Sequence, residues 1–326
     1  MGIVFSHRTA ALVYRAAGCP VQAGRLPAAP APLARCYPSK AAVAAARRTL
    51  ALLGIPPAET GLLDVLVAGD SVRSSDPALT CHVFSAALPA HSIRTLADGV
   101  FVVSPELCFL QMACVFIDRR ELVEYGYELC GGYALPIDPQ GAYRERSPLA
   151  TVASLEALLK SFKRVAGLRR AAWALRYVRE GSRSPMETAN VMTIVLPKRL
   201  GGAGVASVRM NLPVPVPEEH RDLTRRRWHV CDAAVPKKLL DLEYNGFHHD
   251  DEFRKAEDEE RRAALEAMGY RVKVLTKQAF FNRDAYRRYL RSVFRILGIA
   301  EESLPPGFWT LQEELRRFVL RRWLGG

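Results

Sequence analysis

The spacing of apolar residues divides this chain into elements before any other property is considered. Short apolar runs closed by turn residues predict strands at LLDVLVAG (62–69), TCHVFSAAL (80–88) and YRVKVLT (270–276). GVFVVSPELCFLQMA (99–113) changes rhythm midway and predicts a strand followed by a helix. Ser104 is its N-cap, Pro105 takes the first helical position, and Phe109, Met112 and Ala113 form the apolar face. DRRELVEYGYELCGGY (118–133) predicts a second amphipathic helix, stopped at Gly131-Gly132. Residues 1–60 are Ala-rich and read as mostly helical, with prolines punctuating 20–38.

ALPIDPQGAYRERSP (134–148) is rich in Pro, Gly and charge, and marks a boundary between domains 1–145 and 146–326. Beyond it, helices are expected at 151–166 and 168–180, broken at Gly167; Leu155, Leu158, Leu159, Phe162 and Val165 carry the helical spacing of the first. Ser184-Pro185-Met186-Glu187 opens another helix, and GGAGVASVRMNLPV (201–214) gives a turn and a strand. A long charged helix covers 251–268 with Gly269 as its stop, and another covers about 278–297. The amphipathic tail, 308–324, reads as a docking helix.

Composition narrows the class. The chain has 326 residues, 49% of them hydrophobic, so packed cores are expected rather than disorder. No apolar run is long enough to span a bilayer, and no membrane partner is expected. MGIVFS meets the loose N-myristoylation pattern at Gly2, a short pattern that arises by chance. Seven scattered Cys, none in a CxxC pair, fit free thiols in a reducing cytosol. Residues 1–145 are electrically neutral, so on this boundary the whole net charge of +12 falls on 146–326. A basic half-chain attracts polyanions, nucleic acid first among them. Lys160, Lys163, Arg164, Arg169, Arg170 and the run Arg225-Arg226-Arg227 are the candidate phosphate contacts, though each alone is equally an ordinary surface charge.

VCDAAVPKKLLDLEYNGFHHDDEF (230–253) holds the candidate chemistry. Two apolar runs flank a Pro-Lys-Lys turn, and Asp232 and Glu243 lie inside them. With the turn centred on Lys237-Lys238, Asp232 falls opposite Glu243 on one face, and Leu240, Leu242 and Tyr244 point to the other. Adjacent carboxylates repel and raise each other's pKa unless a cation lies between them. Hard oxygen ligands suit Mg²⁺ (or Mn²⁺), and Asp232 and Glu243 are the expected metal ligands. The plain alternative is a turn cap and a strand-end charge.

This stretch resembles the PD-(D/E)XK, restriction-endonuclease-like class, and within it the domain-of-unknown-function family related to very-short-patch-repair endonucleases. The matching residues are Asp232, Glu243, Gly246, His248 or His249, Asp258, Arg261, Leu265, Gly269 and Tyr270, over about residues 184–297. The resemblance implies an α/β fold with a central mixed sheet flanked by helices, and a Mg²⁺-dependent endonuclease acting on DNA. It implies catalytic roles for Asp232, Glu243, Glu187, Asn245, His248 and His249, with Asp258 and Arg261 in support. Glu187 is also the last residue of a capping box opened by Ser184. Many relatives have Lys or Asp where this chain has Asn245, which can hold water but cannot act as a base. One of the two His would have to shuttle the proton.

LPAHSIRTLADGVFVVSPELCFLQMA through ELVEYGYELCGGY resembles the abortive-infection type IV antitoxin family, which implies an α+β interaction or regulatory module with a possible protein partner. His82 and His91 read as ordinary polar positions. The alternatives to the nuclease are a catalytically inactive nucleic-acid-binding regulator and a structural protein with a basic surface. No phosphate loop of the GxxxxGK[ST] type and no GxSxG elbow is present.

Overall fold

The structure, a computed structural model, describes residues 2–19, 33, 36–246 and 252–324; for 252–256 and 258 it describes the main chain only. The chain forms two compact units, Met1–Val178 and Arg179–Gly326.

The first unit is built on a five-stranded mixed sheet. Its elements begin with β1 (Ile3–Phe5), α1 (His7–Arg15) and α2 (Lys40–Leu52). β2 (Leu63–Val67), β3 (Leu79–Val83), β4 (Ile93–Ala97) and β5 (Val100–Val103) follow, in the spatial order β3-β2-β1-β5-β4. β1 is antiparallel to β2 and parallel to β5. This strand was not foreseen in a stretch read as helical. Its three residues, all buried, are too few to show a period, yet they occupy the middle of the sheet. α3 (Pro105–Val115) starts at Ser104, whose Oγ accepts the Leu107 N–H, and α4 (Arg119–Cys130) ends before Gly131. A small ribbon follows, β6 (Tyr133–Ala134) with β7 (Arg144–Glu145).

The boundary differs from the one expected. α5 (Val152–Lys160) and α6 (Leu168–Leu175) belong to the first unit. They pack on α3, burying Leu155, Leu159, Ala171 and Ala174, so the Pro-rich stretch before them is a surface connection rather than a domain linker. The charge argument changes with it. Residues 1–178 hold 19 Lys and Arg against 13 Asp and Glu; residues 179–326 hold 27 against 21. Each unit therefore carries +6, and the excess is not confined to one of them.

The second unit opens with α7 (Pro185–Val195). β8 (Arg209–Pro215), β9 (Trp228–Val235) and β10 (Leu240–Asn245) form an antiparallel meander. α8 (Glu252–Ala267) then returns the chain to β11 (Arg271–Thr276), parallel to β10, giving the order β11-β10-β9-β8. Leu265 of α8 packs with Val214, Cys231 and Ala234 of the sheet. The single helix expected at 278–297 is two, α9 (Lys277–Phe281) and α10 (Arg283–Leu297), because Asn282 turns the chain and its Oδ1 caps Ala285. α11 (Phe308–Leu320) lies on α7 and on the segment after it. The contact depends on Gly201, where a Cβ would come within 2.2 Å of the Leu311 carbonyl oxygen; Gly202 serves its own turn, where a Cβ would come within 2.1 Å of the Leu196 carbonyl oxygen.

Among the described residues no helix is long and apolar enough to cross a membrane, and all seven Cys are free thiols.

Candidate functional site

The hairpin forms with the expected register at its closed end, where Leu240 pairs with Val235 and Asp241 with Ala234. It does not continue regularly to Asp232 and Glu243. Cys231 and Ala234, three residues apart, pack in one cluster with Leu265, which strict alternation forbids. The neighbouring ladder skips the Asn211–Asp232 position, and Asn211 there has φ of +46°. The ladder is interrupted at this one position with its register unchanged on either side, a local kink without an inserted residue. The Asp232 side chain then takes the place of a main-chain acceptor: its Oδ2 accepts the Tyr244 N–H at 3.4 Å. Asp232 and Glu243 are thus near each other, but not as a side-by-side pair on one face of a regular ladder.

Four carboxylates converge at this kink. Glu187 enters from α7. It completes the Ser184 cap, donating its N–H to Ser184 Oγ, and its carboxylate accepts from Ser184 Oγ, the Arg183 N–H and Asn211 Nδ2 at 2.9–3.2 Å. It also points inward, since its charge is the strongest electrostatic influence on Asp232. Capping and site roles are therefore compatible in one side chain. Burial, then Glu187 and Glu243, push the Asp232 carboxyl up to about 6.

Asp241 is the acid the sequence reading passed over. It is fully buried; among the described residues neither carboxyl oxygen has a hydrogen bond of ordinary geometry, and its polar neighbours are the Cys231 thiol and the Glu243 carboxyl. Burial, then the Glu243 charge, push it up to about 8; a proton on Asp241 would be shared with Glu243. The signal was present: two residues apart on β10, Asp241 and Glu243 share a face. Arg261 of α8 supplies the counter-charge, with Nη2 2.7 Å from Glu243 Oε1 and Nη1 donating to the Val230 carbonyl at 3.0 Å.

Beside the acids lies a cleft of about 470 Å³ lined by Arg183, Arg226, Arg227, Trp228, His229 and Arg261, with Val230. Trp228 is 61% exposed, whereas His229 is 3% exposed and neither of its ring nitrogens has a hydrogen-bond partner. Arg183, Trp228 and His229 were not foreseen; an exposed Trp beside an Arg run was their only sequence signal.

The other expected residues scatter. Asn245 is exposed at the end of β10, paired with Thr276. His248 and His249 lie outside the described residues, and Asp258 falls on α8 with its side chain undescribed. Arg225 is exposed and holds Glu260 through its N–H, outside the lining of the cleft. Lys160 and Arg170 belong to the first unit: Lys160 pairs with Glu156 on the surface, and Arg170 donates to the Phe116 and Ile117 carbonyls at the end of α3. Arg169, Lys163 and Arg164 are exposed there too.

The donor chemistry of Asp232, Asp241 and Glu243 suits a hard divalent cation, and the orphaned oxygens of Asp241 lack the partner such an ion would be. Among the described residues, however, no three His, Cys, Asp or Glu side chains are already placed to hold one. The chain matches no protein-family model, no curated protein and no solved structure.

Proposed function

We propose that residues 179–326 form a divalent-cation-dependent nuclease of restriction-endonuclease-like type, hydrolysing phosphodiester bonds in nucleic acid, DNA first. One observation carries this reading: a group of largely buried carboxylates with the Arg261 guanidinium among them opens beside an arginine-lined cleft. The order of helix, three-stranded meander, helix and parallel strand, with Glu187, Asp232, Glu243 and Arg261 at the expected places on it, supports the same reading. The free thiols fit work in a reducing cytosol.

Asp232, Glu243 and, as an addition, Asp241 would hold Mg²⁺ or Mn²⁺. When bound, the ion would supply an activated water and charge neutralisation at the attacked phosphate. The chain's own residues do the rest. Arg183, Arg226 and Arg227 would seat phosphates of the strand. Arg261 holds Glu243 in place, and Ser184 and Asn211 orient Glu187.

Calorimetric titration of Mg²⁺ and Mn²⁺, followed by supercoiled plasmid, tests the proposal. Binding and nicking are expected in the wild type and are expected to vanish together in Asp232→Ala/Glu243→Ala. Absence of cation binding in the wild type would overturn it. Exposed Asn245, in place of a base, favours a second reading: an inactive nucleic-acid-binding regulator of antitoxin type. That reading expects salt-dependent DNA binding that is indifferent to divalent cations.

A further inference from the structure

A second built site lies in the first unit, and it includes His82, which the sequence reading took as an ordinary polar position. It begins at the turn from β1 into α1. His7, the first residue of the helix, has φ of +45°, in the left-handed region that few residues other than Gly enter, although His does so more readily than most. Such a conformation persists only where its surroundings impose it. Here the His7 N–H donates to Gln111 Oε1 at 3.1 Å, the Cys108 thiol donates to the His7 carbonyl, and Ser6 Oγ meets His7 Nδ1 at 3.0 Å. The ring lies on that of His82, with centroids 3.6 Å apart and planes 25° apart. His82 is held in turn by Asp64, Nε2 to Oδ1 at 2.7 Å. Four side chains, Ser6 in the turn, Asp64 on β2, and Cys108 and Gln111 on α3, thus fix one imidazole pair.

The pair lines a cavity of about 380 Å³, walled by Leu66, Val83, Phe84 and Leu110, with Arg73 at its polar side. Gln111 lines it too and is 3% exposed. Because Gln111 Oε1 accepts the His7 N–H, the orientation of the amide is decided, and the atom left over is Nε2, a donor. That donor has no partner. A buried unpaired N–H costs stability and calls for an acceptor from outside the chain. Arg73 adds a partly exposed guanidinium whose Nη1 is used by the Cys81 carbonyl and whose Nε is used by Asp70. An apolar wall with a few convergent donors is the usual make-up of a small-molecule site.

We propose that this cavity binds a small organic oxyanion, a carboxylate or phosphate head on a compact apolar body. The head accepts from Gln111 Nε2 and faces Arg73 and the imidazole edge, and the body lies against Phe84 and Leu110. The site is independent of the carboxylates in residues 179–326 and stands whether or not they are catalytic.

The full chain is titrated with benzoate, phenyl phosphate and inorganic phosphate, following the ring C–H resonances of His7 and His82 by NMR, assigned with His82→Asn. Saturable shifts of both are expected with benzoate or phenyl phosphate, and weaker ones with inorganic phosphate, which lacks the body. Whichever of the two aromatic probes binds more tightly identifies the head. Gln111→Leu is expected to weaken binding at least tenfold. Arg73→Gln, at a half-exposed position that does not threaten folding, is expected to weaken it severalfold. If no probe shifts the two rings, or if binding survives both substitutions unchanged, the proposal is wrong.

Discussion

At Asp241 a carboxyl group is sealed from water with no hydrogen bond of ordinary geometry to either oxygen, and the pH dependence of stability follows from it. Its folded pKa lies far above the ordinary value, so the folded chain keeps a proton that the unfolded chain releases from about pH 4. Stability therefore falls as pH rises from about 4 to about 8, and the cost is complete above that window. Asp232 contributes with the same sign between about 4 and about 6. Urea melts from pH 5 to 9 are expected to show this slope, and Asp241→Asn to flatten it while gaining on the order of 1 kcal/mol at pH 8. Mg²⁺ at pH 8 is expected to recover the loss in the wild type and not in Asp232→Ala/Glu243→Ala; a slope unchanged in Asp241→Asn would show that the proton resides elsewhere. The sequence displayed Asp241 as openly as Glu243. It was hidden by habit, since one acid per strand was enough to suggest a metal. The kink at Asn211 and Asp232 is different in kind: a positive φ at a non-Gly residue is dictated by tertiary surroundings and leaves no periodic trace.

Elements were legible where their ends carry chemistry. Ser104, Asp118, Thr151 and Ser184 all cap the helices that follow them, and each is a Ser, Thr or Asp before a helical pattern. β1 was invisible because three buried residues have no period, and the 277–297 segment was taken as one helix because Asn282 is a mild breaker in a strong amphipathic pattern. Two predictions belong here. Ser184→Ala removes a cap and one of the anchors of Glu187, and is expected to cost about 1 kcal/mol in thermal melts. Leu239, at the end of the β9–β10 turn, has φ of +44° and is 42% exposed. Leu239→Gly is expected to gain about 1 kcal/mol, because the left-handed strain outweighs the extra freedom of glycine when unfolded. A loss instead would mean that the packing of the partly covered Leu239 side chain matters more than the strain.

For the whole molecule, the chain divides into two compact units whose boundary lies after Val178 rather than after residue 145, because Pro and Gly mark connections and only packing marks domains. Each unit has its own sheet and its own buried residues. Residues 1–178 and 179–326, produced separately, are each expected to melt cooperatively by calorimetry, whereas a cut at 145 is expected to strip α5 and α6 from α3 and abolish cooperative melting of the first piece. With charge shared equally, the DNA binding that the proposed function requires would have to come from local arrangement rather than from net charge. Arg226→Ala/Arg227→Ala is expected to lower the slope of log K against log salt by about 1–2, read by fluorescence anisotropy on a labelled duplex.

The close approach at Gly201 has a consequence for how the protein is made. α11 seats directly on that backbone and on α7, although more than 100 residues separate them along the chain. A contact between such distant segments forms late. While the chain is still being synthesised, α7 stands without its cover until residues 308–320 have left the ribosome. Nascent chains stalled short of that point would expose an apolar helix face to chaperones. The second unit would therefore close its packing only once its last helix has been made.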